Sequence, residues 1–234
     1  LVDFLLGFLI GLPAAVLLWF VGAVTGGGAA AGVLLVAWFY GYDGAFGLAG
    51  FGALVLLGSS LSRLPRVAKE KHAPRTAGQA LANGGVAAIC IALPIGDPAR
   101  ILSFAALGCA LSDTSSTEFG ERYGTAPRVL LFGPRTPPGR DGGMTWLGTF
   151  AGLVAALLMA SIYAATRGPM EGVLAVAIGS MSGNVLDSVL GHVLEHRLFS
   201  GMSKAAANDV INALATAAGA GVASLVLFAV RASS

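Results

Sequence analysis

The chain has 234 residues, of which 56% are hydrophobic and only 11% charged, with a mean hydropathy of +0.79. A soluble domain carries about a quarter charged residues, so this composition excludes a soluble globular enzyme and describes an integral membrane protein. The formal net charge of +2 says little by itself, because in a membrane protein the distribution of charge matters more than its sum.

Apolar runs fall at about 3–24, 28–42, 44–62, 80–96, 99–112, 145–166, 170–191 and 208–230. A perpendicular spanning helix needs roughly 20 residues, so the expected architecture is all-α: a polytopic transmembrane bundle of seven to eight spans, one integral membrane domain over residues 1–234. The first run lacks a basic leader, begins with Asp3 and is longer than a signal-peptide core, so it reads as a retained span. Runs 28–42 and 99–112 are short, which suits a half-span, a re-entrant piece or a helix that ends at a polar cavity. Cys90 and Cys109 lie inside apolar runs without CxxC spacing and read as small buried hydrophobes.

After the third run comes a basic segment with Arg63, Arg66, Lys69, Lys71 and Arg75, followed by "RTAGQALANGG". If a helix starts after Pro74, Arg75, Gln79 and Asn83 share one face running into the membrane. The stripe fits interfacial snorkelling with interhelical hydrogen bonds. It also fits an anion site built from Lys69, Lys71, Arg75 and exposed helix amides.

The stretch "LSDTSSTEFGERYG" (111–124) places Asp113, four hydroxyl residues and Glu118 in sequence. On a helix Asp113, Ser116 and Thr117 share a face, and Thr114 and Glu118 share its neighbour, so the two carboxylates are offset rather than stacked, although both could still reach one bound cation. The alternative is a helix cap, since "STEF" resembles a capping box. The loop at about 120–143 follows, rich in Pro and Gly, with Arg122, Arg128, Arg135 and Arg140. It lacks the GK[ST] of a P-loop, yet its arginines can meet phosphate.

In "GSMSGNVLDSVLGHVLEHR" the glycines recur every four residues, a spacing of close helix packing. Asp187 differs, because a carboxylate within a span costs about 2.5–3.5 kcal/mol on insertion scales and is a functional candidate by default. His192 and His196 have metal-compatible spacing but lack HExxH order and read as surface residues. In the last run Asn208, Asn212 and Thr216 form a further stripe beside Asp209, with an N-cap as the structural alternative. Oxygen-rich side chains of this kind suit a hard cation such as Mg²⁺.

Eleven of the 14 Lys and Arg residues fall in three inter-span segments. With eight spans these lie on one side, cytoplasmic by the positive-inside tendency. Both termini are then expected outside, and the polar site faces the cytoplasm.

Taken together, "RTAGQALANGG" (75–85), "SDTSSTEFG" (112–120), "PRVLLFGPRTPPGRDGGMTWLGT" (127–149), "GSMSGNVLDSVLG" (179–191) and "NDVINALAT" (208–216) resemble integral membrane protein family ninety-two, a domain of unknown function that includes the phytyl-phosphate kinases of the vitamin E pathway. The chain departs from the family's usual residues at Ser115, at Gly139-Arg140 and near Glu195. The resemblance implies transfer of a phosphoryl group from a nucleoside triphosphate, with CTP the expected donor, to an isoprenyl monophosphate lipid. It implies Asp113, Glu118 and Asp187 as the catalytic, Mg²⁺-holding carboxylates. Lys71, Arg75, Gln79, Asn83, Thr114, Ser116, Arg128, Arg135, Arg140, Ser188, Asn208, Asp209 and Asn212 would bind substrate and phosphate. Nucleotide, lipid substrate and membrane lipids are the expected partners, with no nucleic acid, and a bacterial cytoplasmic membrane is the expected location. The competing readings are a CTP-dependent lipid cytidylyltransferase, which uses the same phosphate and metal groups, and an ion-coupled transporter, whose polar residues should extend across the full membrane thickness.

Overall fold

In the computed structural model the described residues are 1–63, 73–137, 142–194 and 201–233. They form seven helices, α1 (Val2–Phe20), α2 (Gly26–Ser62), α3 (Ala77–Ile91), α4 (Asp97–Tyr123), α5 (Trp146–Ala165), α6 (Met170–Leu194) and α7 (Lys204–Ala232). The two-residue strands β1 (Arg128–Val129) and β2 (Gly143–Met144) pair antiparallel between α4 and α5. The fold is all-α, and α1, α2, α5, α6 and α7 are long and apolar enough to cross a membrane.

α2 does not run straight. Gly44 has φ 57° and ψ −137°, a backbone region closed to side chains with a Cβ, and there the chain folds back. Phe39 and Phe51 stack with ring centroids 4.9 Å apart, and Gly28 and Ser59 line one groove, although a straight helix would separate that pair by about 46 Å. The runs 28–42 and 44–62 are therefore two antiparallel arms. Opposite the turn, Asp43 accepts from Arg100 Nε at 2.9 and 2.8 Å, and the guanidinium lies over the Phe46 ring. The pair pins the turn to the start of α4.

α4 is the axis of the bundle, packing against α2, α3, α5, α6 and α7. Residues 103–112 are buried without a break, as expected of a helix apolar all round. Neighbouring helices approach through small residues, and Phe104, Leu107, Met159 and Tyr163 fill the rest of the core. Leucines and phenylalanines on the outer faces of α1, α5 and α7 are exposed, which suits a lipid-facing surface.

Three local expectations are corrected. The apolar run 99–112 is not a short piece, since α4 begins at Asp97 and continues through the polar stretch to Tyr123. Asp113, Ser116 and Glu118 are thus mid-helix residues and cap nothing. α3 begins at Ala77, after a Thr76–Gln79 capping box, so Arg75 lies outside the helix and does not share its face with Gln79 and Asn83. α7 begins at Lys204 with Ser203 as its cap, so neither Asn208 nor Asp209 is an N-cap.

Candidate functional site

Two chain segments cross at the site. Thr25 N–H donates to the Arg75 carbonyl at 3.0 Å and Arg75 N–H to the Ala23 carbonyl at 2.9 Å, joining the α1–α2 connection to the entry of α3. The Arg75 guanidinium donates to Ser62 Oγ at 3.3 Å. The start of α2, its end and the start of α3 therefore meet at one end of the bundle. Gly124 packs against Thr145 and Gly78 against Asp209, which adds the end of α4 and the starts of α5 and α7. Gly142 meets His192 near the end of α6. Of the described basic residues, Arg63, Arg75, Arg122, Arg128, Arg135 and Lys204 fall at this end, against Arg100, Arg167 and Arg231 at the other.

Arg75 is half-buried. Burial pulls its guanidinium below the ordinary arginine value, while the carboxylates of Glu118 and Asp113 act in the opposite sense. It stays a cation, since arginine does not lose its proton in proteins. Asp113 is within electrostatic reach of Asp187 across the α4–α6 contact, where Cys109, one turn before Asp113, packs against Gly183, one turn before Asp187. Glu118 is buried and lies 4.0 Å from the Arg122 guanidinium one turn further along α4. Arg75 at the α3 entry is thus within electrostatic reach of Asp113 and Glu118 on α4, Asp113 of Asp187 on α6, and Glu118 of Arg122.

Below Glu118 a polar network locks three helices together. Asn184 Nδ2 donates to Ser112 Oγ at 3.0 Å and Ser116 Oγ at 2.8 Å. Ser112 Oγ in turn donates to the Gly152 carbonyl at 2.7 Å. A Cβ on Gly152 would stand 2.2 Å from Ser116 Oγ and 2.5 Å from Asn184 Nδ2, so glycine is what lets α5 come this close. Ser116 is held in this network, which gives it a packing role in addition to any contact with substrate.

The other expected residues are distributed unevenly. Gln79 accepts from Thr76 N–H at 3.1 Å with its side-chain oxygen. Asn83 lines a groove with Arg75 and Gln79. Asn212 and Thr216 are buried and Thr216 Oγ1 donates to the Ala213 carbonyl at 3.0 Å, whereas Asn208 faces outward. Asp209 rests against the first turn of α3, where the helix dipole favours a carboxylate. Arg128 and Arg135 are exposed on the β1–β2 loop, and Arg128 donates to the Gly133 carbonyl at 3.1 Å. Thr114 and Ser188 are half-buried. Lys71 and Arg140 lie outside the described residues, as do Lys69 and His196.

Among the described residues no three His, Cys, Asp or Glu side chains converge closely enough to hold a metal by themselves. The structure therefore does not join Asp113, Glu118 and Asp187 into one ligand set. The electrostatically linked pair Asp113–Asp187 still fits Mg²⁺, which is commonly held by one or two carboxylates together with substrate phosphates and water. Arg122, expected in the loop with the other phosphate-meeting arginines, instead lies in the last turn of α4, one turn beyond Glu118.

At the basic end of a hydrophobic bundle lie a half-buried guanidinium, carboxylates within its electrostatic reach and an amide–hydroxyl network. Comparison with known proteins returns the family described as Integral membrane protein DUF92, matching residues 9–227. No curated protein and no solved structure matches the chain. The match covers nearly the whole chain, and the protein belongs to this integral membrane family.

Proposed function

We propose that the protein is a membrane-embedded isoprenyl-monophosphate kinase, which transfers the terminal phosphoryl group of a nucleoside triphosphate, CTP being the expected donor, to a lipid monophosphate to give the diphosphate. The observation that carries the reading is the clustering of Arg75 with Asp113 and Glu118, and of Asp113 with Asp187, from chain segments far apart in sequence. A cation site for phosphate beside a carboxylate pair is what charge cancellation between two phosphates requires. The concentration of these groups at one end favours the kinase over a transporter, whose polar path would cross the bundle.

In this reading the fold-back at Gly44 gives eight crossings, and the basic end faces the cytoplasm. A lipid monophosphate is already largely dianionic at neutral pH, its second pKa being about 6, so no general base is needed. A phosphate oxygen of the lipid attacks the γ-phosphorus in line; the new P–O bond forms as the bond to the β-bridging oxygen breaks, and the nucleoside diphosphate leaves with the electron pair. Arg75 holds the lipid phosphate. Arg128, Arg135, Arg140 and Lys71 bind the nucleotide phosphates, while Asn83, Asn208 and Asn212 orient them. Asp113 and Asp187 would hold Mg²⁺, which supplies charge neutralisation, and Glu118 fixes Arg122 beside the phosphates.

The test incubates purified protein with Mg²⁺, phytyl or geranylgeranyl monophosphate and each nucleoside triphosphate in turn. Lipid diphosphate is the expected product with at least one donor. Its absence with every donor would sink the assignment, and pyrophosphate released with CTP would indicate cytidylyl transfer instead.

A further inference from the structure

A groove lies between α1, the two arms of α2 and the first turns of α3. Its polar lining comprises Arg75, Thr76, Gln79, Asn83 and Ser59, all toward the basic end. Phe51, Leu54, Val55, Leu18, Ala15 and small residues such as Gly32 line the remainder. From Ser59 down to Phe51 the groove follows eight residues of one helical arm, a depth of about 12 Å at 1.5 Å per residue. α1 leans chiefly on α2, and the groove occupies the seam between α1 and α3, at the outer edge of the bundle.

Resting on the kinase reading above, we propose that this groove is the acceptor-lipid site: it takes a single-chain lipid monophosphate with the phosphate at Arg75 and the chain laid against Phe51, Leu54 and Gly32. Charge and shape both select this occupant. The half-buried Arg75 guanidinium lines the groove and offers a charged donor to a phosphate oxygen, and the apolar slot below it offers burial worth about 25 cal/mol per Å² of chain removed from water. A free phosphate would leave the apolar slot unfilled. The same arginine is within electrostatic reach of Asp113 and Glu118, so a phosphate held there lies at the carboxylate end of the groove while its chain runs along the seam.

The test requires no turnover. Full-length protein in detergent, without nucleotide, is irradiated with a geranylgeranyl-length monophosphate bearing a diazirine in its tail, and the adducts are mapped by mass spectrometry. Adducts are expected on α2 between Phe51 and Val55 and around Gly32. The corresponding alcohol should label these positions more weakly. Gly32→Phe should reduce labelling roughly tenfold, as expected from the loss of a well-packed apolar contact; a Cβ at Gly32 meets nothing within 4 Å, so the variant fills the groove without displacing backbone. Adducts confined to the outer faces of α5 or α7, or equal labelling by the alcohol in the wild-type protein, would overturn the proposal even if Gly32→Phe fails to fold. Groove labelling in a protein that forms no diphosphate would refute the reaction and leave the lipid site standing. Diphosphate formation with adducts elsewhere would refute the site alone.

Discussion

Asn184 and Ser116 are joined across the α4–α6 interface by a hydrogen bond of 2.8 Å from Asn184 Nδ2 to Ser116 Oγ, and the same amide reaches Ser112 at 3.0 Å. Asn184 is buried, so removing its amide takes a donor from buried Ser112 and half-buried Ser116 and breaks the α4–α6 link. Asn184→Leu should destabilise the protein by about 1–3 kcal/mol, the cost of leaving buried polar groups unsatisfied. Thermal unfolding in detergent checks this, and an unchanged midpoint would mean that the network contributes nothing.

Gly152 and Gly85 make a contrasting pair. A Cβ at Gly152 collides with Ser116 and Asn184, whereas one at Gly85 meets nothing within 4 Å. Gly152→Ala should lower the unfolding midpoint, while Gly85→Ala, in the interior of α3, should raise stability by up to about 1 kcal/mol through helix propensity. Equal effects from the two substitutions would contradict the packing described around α5.

The Asp43–Arg100 pair lies at the end opposite the proposed site. Its bonds are charge-assisted and partly buried, with side-chain exposures of 8% and 25%, so Asp43→Asn should cost about 1–3 kcal/mol. Specific activity of the folded fraction should be unchanged, because Asp43 serves to pin the α2 turn to α4. Loss of activity without loss of stability would place function at the wrong end of the bundle.

Much of this architecture can be read from the residues, because long apolar runs leave the backbone no alternative to helix within a bilayer. The run boundary at residues 42–44 marks the Gly44 turn, and the basic segments anticipate which helix ends gather together. The continuation of α4 through Asp113–Tyr123 was harder to see. Ser, Thr and Asp favour caps in isolation, and only contact with α5 and α6, through Ser112, Ser116 and Asn184, holds them in a helix. The displacement of Arg75 from the α3 face follows from the capping box of Thr76 with Gln79, which starts the helix two residues after Arg75. Its pairing with Ala23 and Thr25 joins residues about fifty apart, and no local pattern encodes such a contact. The groove between α1 and α3 is invisible for the same reason, being made by elements that are not neighbours in sequence.

Asp113 and Asp187 carry the metal assignment. Asp113→Asn and Asp187→Asn should each reduce diphosphate formation at least about a hundredfold, in line with losing electrostatic stabilisation of a phosphoryl-transfer transition state. The unfolding midpoint should remain near that of the wild type. Near-wild-type turnover by either folded variant would refute the role of that carboxylate.

The central claim is that the terminal phosphoryl group passes directly to a lipid phosphate, and its most direct test follows that group. Protein in micelles is given Mg²⁺, geranylgeranyl monophosphate and CTP labelled at the γ-phosphorus, and the label is located after separation of lipid from aqueous products. The account predicts label in the terminal phosphate of the lipid diphosphate, with unlabelled CDP released in equal amount. Label recovered in pyrophosphate, with cytidine attached to the lipid, would contradict it.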